Sequence, residues 1–151
     1  MSDELKKVIS WFLSKKAMSP KKLQKLLYYA QSWTITLENE KSDDIKIRLF
    51  DEKFEAWVHG PVIPIVYRQY KEYGYSNIPQ TSEIVEFDED IENVLQQVLE
   101  VYGDYNGNEL ENLTHQEKPW QNAREGFSSL ELCQIEISEK DMFEYYMKQA
   151  E

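Results

Sequence analysis

Apolar residues recurring at helical spacing are the feature that most limits what this chain can fold into. Leu5, Val8, Ile9, Phe12 and Leu13 stand at i, i+3, i+4, i+7 and i+8, which puts all five on one face of a helix over residues 3–16. Ser19 followed by Pro20 reads as an N-cap with proline in the first turn. Behind it Leu23, Leu26, Leu27, Ala30, Trp33 and Leu37 form a second stripe. The clearest stripe is Ile91, Val94, Leu95, Val98, Leu99 and Tyr102, bounded by Asp88 and Gly103. Each apolar face has to be covered by another element, so these stripes demand helices packed around a shared core.

Shorter segments fill the remainder. Pro64 opens a helix carrying Ile65, Val66, Tyr67, Tyr70 and Tyr73, with Gly74 placed to end it. Asn108 is the expected cap of a short helix through Leu110 and Leu113, and Pro119 opens another running to Arg124, closed by Gly126. Ser138 and Asp141 have capping-box spacing ahead of Met142, Phe143, Tyr146 and Met147. Period-2 alternation occurs at Phe54, Ala56 and Val58. This predicts a strand, paired with Ile47–Phe50 through a turn at Asp51–Lys53 and broken by His59-Gly60-Pro61. Glu38–Lys46 is polar and aperiodic, hence a loop. The expected fold is mainly α (α+β): one compact helical domain over residues 1–151, with six to seven helices and one short β-hairpin. A chain of this length buries roughly two-thirds of its unfolded surface, enough for one core.

Composition narrows the function. Hydrophobic residues at 41% and aromatics at 13% are too abundant for a disordered segment. No run of 18 apolar residues and no signal-peptide pattern is present, which predicts a cytoplasmic chain without a membrane partner. The net charge of −11 is uneven: residues 1–37 hold seven lysines against two acids (+5), and the rest holds ten cations against twenty-six acids (−16). Such a surface repels a phosphate backbone, and the cluster Lys15, Lys16, Lys21, Lys22 and Lys25 lacks Arg or Asn at base-reading positions. It reads as a solvated or protein-contacting face, with duplex DNA held no better than non-specifically. A basic protein partner suits the charge better.

Chemistry-bearing groups are few. His59 and His115 are the only histidines and Cys133 the only cysteine, so a zinc site would need carboxylates at no recognisable spacing. Nothing around Cys133 activates a thiol for a pair with His115; a small core filler is its plain reading. Gly60, Gly74, Gly103, Gly107 and Gly126 are scattered and form no phosphate cradle. No cofactor and no catalytic residue is expected. A protein-binding domain leads over two rivals: a phage-encoded inhibitor of a host protein or acidic DNA mimic, and a hydrolase using both histidines.

Three segments carry a resemblance. Leu23-Gln24-Lys25-Leu26-Leu27-Tyr28-Tyr29-Ala30-Gln31-Ser32-Trp33 comes first. Phe54-Glu55-Ala56-Trp57-Val58-His59-Gly60-Pro61-Val62-Ile63-Pro64-Ile65-Val66-Tyr67 and Leu113-Thr114-His115-Gln116-Glu117-Lys118-Pro119-Trp120-Gln121-Asn122-Ala123-Arg124 follow in that order. Together they resemble the Panacea domain, also described as SocA-like or GepA-like and phage-associated, from about residue 5 to 147. The resemblance implies an antitoxin that neutralises a toxin encoded by a neighbouring gene, in some members as an adaptor for a ClpXP-type protease, and often in prophages. It implies no catalytic residues. Read from the residues, Gly60-Pro61 makes a rigid bend oriented by His59, Thr114 and His115 satisfy backbone groups between short helices, Trp120 covers that junction, and Arg124 reaches a carboxylate. Fold maintenance is the leading role for these motif residues, and the second reading of Tyr28, Tyr29, Trp33, Trp57 and Trp120 is as exposed anchors for a partner. Tyr28 and Tyr29 come first, because both lie off the main stripe. Tyr67 and Pro119 complete the candidate set.

Overall fold

The computed structural model describes residues Met1–Glu151. Seven helices and one two-stranded antiparallel hairpin make it mainly α, as the stripes predict. The helices are α1 (Asp3–Lys15), α2 (Pro20–Glu38), α3 (Pro64–Tyr70), α4 (Glu89–Tyr102), α5 (Gly107–His115), α6 (Lys118–Ala123) and α7 (Glu139–Ala150). The strands are β1 (Glu55–Trp57) and β2 (Gly60–Val62). A single 3₁₀ turn, Lys71–Tyr73, extends α3 to Gly74 at φ 58°.

Helix α2 is the axis of the fold: α1, α3, α4, α5, α7 and β2 all pack on it. Ser19 caps it by accepting from the Lys22 N–H at 3.2 Å. Its apolar stripe is only part of what is covered, because fourteen of its nineteen residues are buried. The buried polar ones hold segments that have no regular structure. Gln31 donates to the Phe50 carbonyl (2.7 Å) and accepts from the Leu49 N–H (2.8 Å). Gln24 does the same for the carbonyl and N–H of Ile63, at 3.1 and 2.9 Å. These side chains stand in for a neighbouring strand, satisfying backbone groups that burial would otherwise orphan.

That substitution corrects the expected hairpin. Ile47–Phe50 is no strand, since Gln31 already takes its backbone groups. β1 pairs instead with β2 across a two-residue turn, Val58-His59, in the register Glu55 to Val62, Ala56 to Pro61 and Trp57 to Gly60. Gly60 and Pro61 therefore open the second strand and do not break the first. Proline fits because Ala56, opposite it, turns elsewhere: its N–H donates to Ile135 (2.9 Å) and its carbonyl accepts from Arg124 (2.8 Å). The cap expected at Asn108 lies two residues earlier. Asn106 accepts from the Glu109 N–H while Glu109 accepts from the Asn106 N–H, both at 2.9 Å, a reciprocal box that starts α5 at Gly107. Asn108 instead accepts from the Lys21 ammonium at 2.9 Å. Ser138 caps α7 through the Asp141 N–H at 3.2 Å, as its spacing predicts.

Tyr28 and Tyr29 are 1% and 0% exposed, which corrects their placement as surface anchors. α2 is enclosed on nearly all sides, so lying off its apolar stripe does not bring a residue to solvent. Tyr29 stacks on Tyr102 of α4 with ring centroids 3.9 Å apart. Trp33, partly buried, donates to the Tyr102 hydroxyl at 2.9 Å. At the centre Tyr29 and Tyr146 each donate to the buried carboxylate of Glu117 at 2.8 Å. Burial pushes the Glu117 pKa up, against the pull of the two phenolic hydrogen bonds.

A raised folded-state pKa means that, above the ordinary value of 4.5, the folded chain holds a proton the unfolded chain has released. Stability from this group is thus complete below that value and is lost as pH rises through the folded pKa. Glu117→Gln removes the titration while keeping an acceptor. In urea melts across the acidic range, the stability of the native chain minus that of Glu117→Gln should fall as pH rises from 4.5; a pH-independent difference would contradict this account.

Candidate functional site

The motif residues converge on one region, where the hairpin, α3 and the α5–α6 junction meet the first turns of α2. Lys25 of α2 is the most deeply placed. It is 1% exposed, and its ammonium donates to the Pro61 carbonyl at 3.0 Å. Desolvation, offset in part by the charge of Glu111, pulls its pKa from 10.5 to about 7. Lys22 is buried too, with its ammonium donating to the Gly103 carbonyl. The lysine cluster is therefore not a uniformly solvated face. The clue lies in the neighbours: Leu23-Gln24-Lys25-Leu26-Leu27-Tyr28-Tyr29-Ala30 leaves little room for a wet side, and a helix apolar all round is a buried one.

Gly60 explains itself against Lys25. Its φ of 106° belongs to the region that favours glycine, and a Cβ there would stand 2.7 Å from Lys25 Cε and 3.0 Å from Thr114 Oγ1. Glycine is thus needed for the turn and for the lysine beneath it. Thr114 also donates to the Glu111 carbonyl at 2.8 Å.

The outer side of the hairpin is braced by α6. Trp120 donates through Nε1 to the Trp57 carbonyl at 2.9 Å and stacks on His115 with centroids 4.1 Å apart. Desolvation lowers the His115 pKa against the opposing charge of Glu111. Pro119 is buried in the first turn of α6. The carboxylate expected from the sequence as the partner of Arg124 is not what this side chain reaches. Its guanidinium donates to the carbonyls of Ala56 (2.8 Å), Ser128 (2.9 Å) and Glu131 (2.6 Å), because the backbone of β1 and of the following loop supplies nearer acceptors. Trp120 and Arg124 are scaffold.

His59 projects from the turn tip, and its Nδ1 lies 3.1 Å from Glu111 Oε2. Glu111 also accepts from Lys21 at 2.6 Å. Burial acts to raise the Glu111 pKa, but the hydrogen bonds from Lys21 and His59 outweigh it and hold the carboxyl below its usual range. Trp57 is partly buried and meets Tyr67 of α3 edge-on, with centroids 5.0 Å apart; Tyr67 is 46% exposed. Between these groups lies an open cavity of about 360 Å³ lined by Lys21, Lys25, Trp57, His59, Tyr67 and Lys71 among others. Trp33 stands apart, beside an apolar cavity of about 280 Å³ with Leu37 and Val101. No group of three or more His, Cys, Asp or Glu is placed to hold a metal ion. Cys133 is buried with its thiol free.

Gly60→Ala and Gly126→Ala separate backbone strain from packing, since Gly126 shares a positive φ (88°) but has open space around it. Gly126→Ala should cost about 1 kcal/mol. Gly60→Ala should cost about 2 to 4 kcal/mol in the same thermal or urea melts; equal costs would mean that Lys25 does not dictate the glycine.

No curated protein and no solved structure matches the chain. A family model does: the description "Antitoxin SocA-like, Panacea domain" matches residues 23–121. That stretch runs from the first turn of α2 to α6 and contains the hairpin, the buried lysine and the Trp120 brace. The chain belongs to the SocA-like, Panacea-domain antitoxin family.

Proposed function

We propose that this chain neutralises a partner toxin by direct binding, and that the contact is anchored by the aromatic face over the hairpin and α3. Membership of an antitoxin-like family supplies the class of function. The observation that carries the surface is the Trp57–Tyr67 pair, left partly uncovered on a rigid mount. Trp57 sits on a strand whose backbone is held by Trp120 and Arg124, and Tyr75 nearby is 96% exposed. Aromatic side chains presented without reorganisation are the usual anchors of an interface. Masking by direct contact accounts for this patch without a protease. The acidic remainder of the chain adds long-range attraction for a basic toxin, which acts on encounter more than on the formed complex.

The test is binding kinetics with the product of the neighbouring gene. Tyr67→Ala should speed dissociation and weaken the complex by about 2 kcal/mol or more, with an unchanged melting temperature. Raising salt should slow association and leave dissociation nearly unchanged. Absence of a complex, or a neutral Tyr67→Ala, contradicts the proposal.

A further inference from the structure

The cavity beside Lys25 has a lining unlike the rest of the molecule. The chain carries −11 overall, yet three ammonium groups and an imidazole (Lys21, Lys25, Lys71 and His59) line this one space, and no carboxylate does. Two of the cations have no carboxylate partner. Lys71 takes part in none of the salt bridges. Lys25 has one hydrogen bond, to a neutral carbonyl, for its three donors. Lys21 and His59 share Glu111, which approaches them from α5. The first residues of α2 line the same space, so the positive end of that helix adds to its field. A buried ammonium bonded only to a carbonyl is costly to keep, and an anion in the cavity would relieve that cost.

Three aromatic side chains line the same cavity. Trp57 and Tyr67 meet at 62°, and both line the space together with Tyr75. A volume of about 360 Å³ falls in the range of small-ligand sites, where a few polar groups fix one end of a ligand and apolar walls cover the other.

We infer that this cavity binds a mononucleotide, with its phosphate on the Lys71 ammonium and over the buried end of Lys25, and its base against the Trp57–Tyr67 pair. A phosphate uses the clustered donors, and a base uses the rings as single-stranded nucleic-acid sites do. Neither wall alone selects this class; the pairing of the two does. The site is a property of the chain by itself and does not depend on the toxin-binding reading.

Calorimetric titration of the isolated chain tests it, with AMP, GMP, adenosine and inorganic phosphate as probes. At least one nucleotide should bind saturably, and adenosine and phosphate should each bind about tenfold or more weaker. Lys71→Gln and Tyr67→Ala, both at exposed positions, should each weaken nucleotide binding about tenfold while retaining the native melting temperature. Val101→Ala, exposed on α4, should leave binding unchanged. Three results would overturn the inference: no saturable nucleotide binding at millimolar concentration, phosphate binding as tightly as the nucleotides, or nucleotide binding indifferent to both substitutions. Because no partner protein is present, failure here leaves the toxin contact standing, and the reverse holds as well.

Discussion

The structure depends on polar side chains of α2 reaching out of a buried helix to hold backbone that has no ladder of its own. Gln31 fixes Leu49 and Phe50, Gln24 fixes Ile63, and Lys25 fixes Pro61. A two-stranded hairpin this short is not stable alone in water. Here it is clamped from beneath by Lys25, from outside by Trp120 and Arg124, and along its free edge by Ile135 and Ile137. The hairpin that leads into α3 is therefore restrained from several sides, and a face built on it is presented at little ordering cost.

Lys25 is the costly member of this set. Its folded pKa of about 7 lies below the ordinary 10.5, so between those values the unfolded chain holds a proton that the folded chain has given up. Stability from this group consequently rises with pH across that window, and at neutral pH the lysine detracts from it. A methionine of similar reach would fill the volume without that cost. Groups that lower stability while sitting beside a cavity are characteristic of functional sites, where local rules are broken for a reason elsewhere. Glu111 moderates the cost, and ties α5 to the hairpin tip through His59 and to α2 through Lys21.

Much of the helical framework was legible because helical periodicity survives in single elements. The stripes of α1 and α4 needed no partner to be read, and Ser19 and Ser138 act as the caps their spacing implies. The strand pairing was not legible. Whether Phe54–Val58 pairs forward or backward depends on Gln31, twenty-odd residues upstream, having already claimed Leu49 and Phe50. Tyr28 and Tyr29 were misplaced for a related reason: amphipathic reasoning assumes a wet side, and α2 has almost none. The candidate site was half visible. The Gly60-Pro61 motif marked the region, but the reason for the glycine is a lysine thirty-five positions earlier in the sequence, and Lys71 and Tyr75 carry no local signal. Arg124 was expected to pair with a carboxylate because that is its commonest partner; three carbonyls were nearer.

Lys25 is a buried amine held against the hairpin, with Gly60 leaving it room. Side-chain NMR of the lysine Cε and Nζ resonances over a pH titration tests that claim at the atom concerned. One lysine should titrate with a midpoint near 7 and should vanish from the spectrum in Lys25→Met. If every lysine of the folded chain titrates in the ordinary range near 10.5, Lys25 is solvated and the account of the site is wrong.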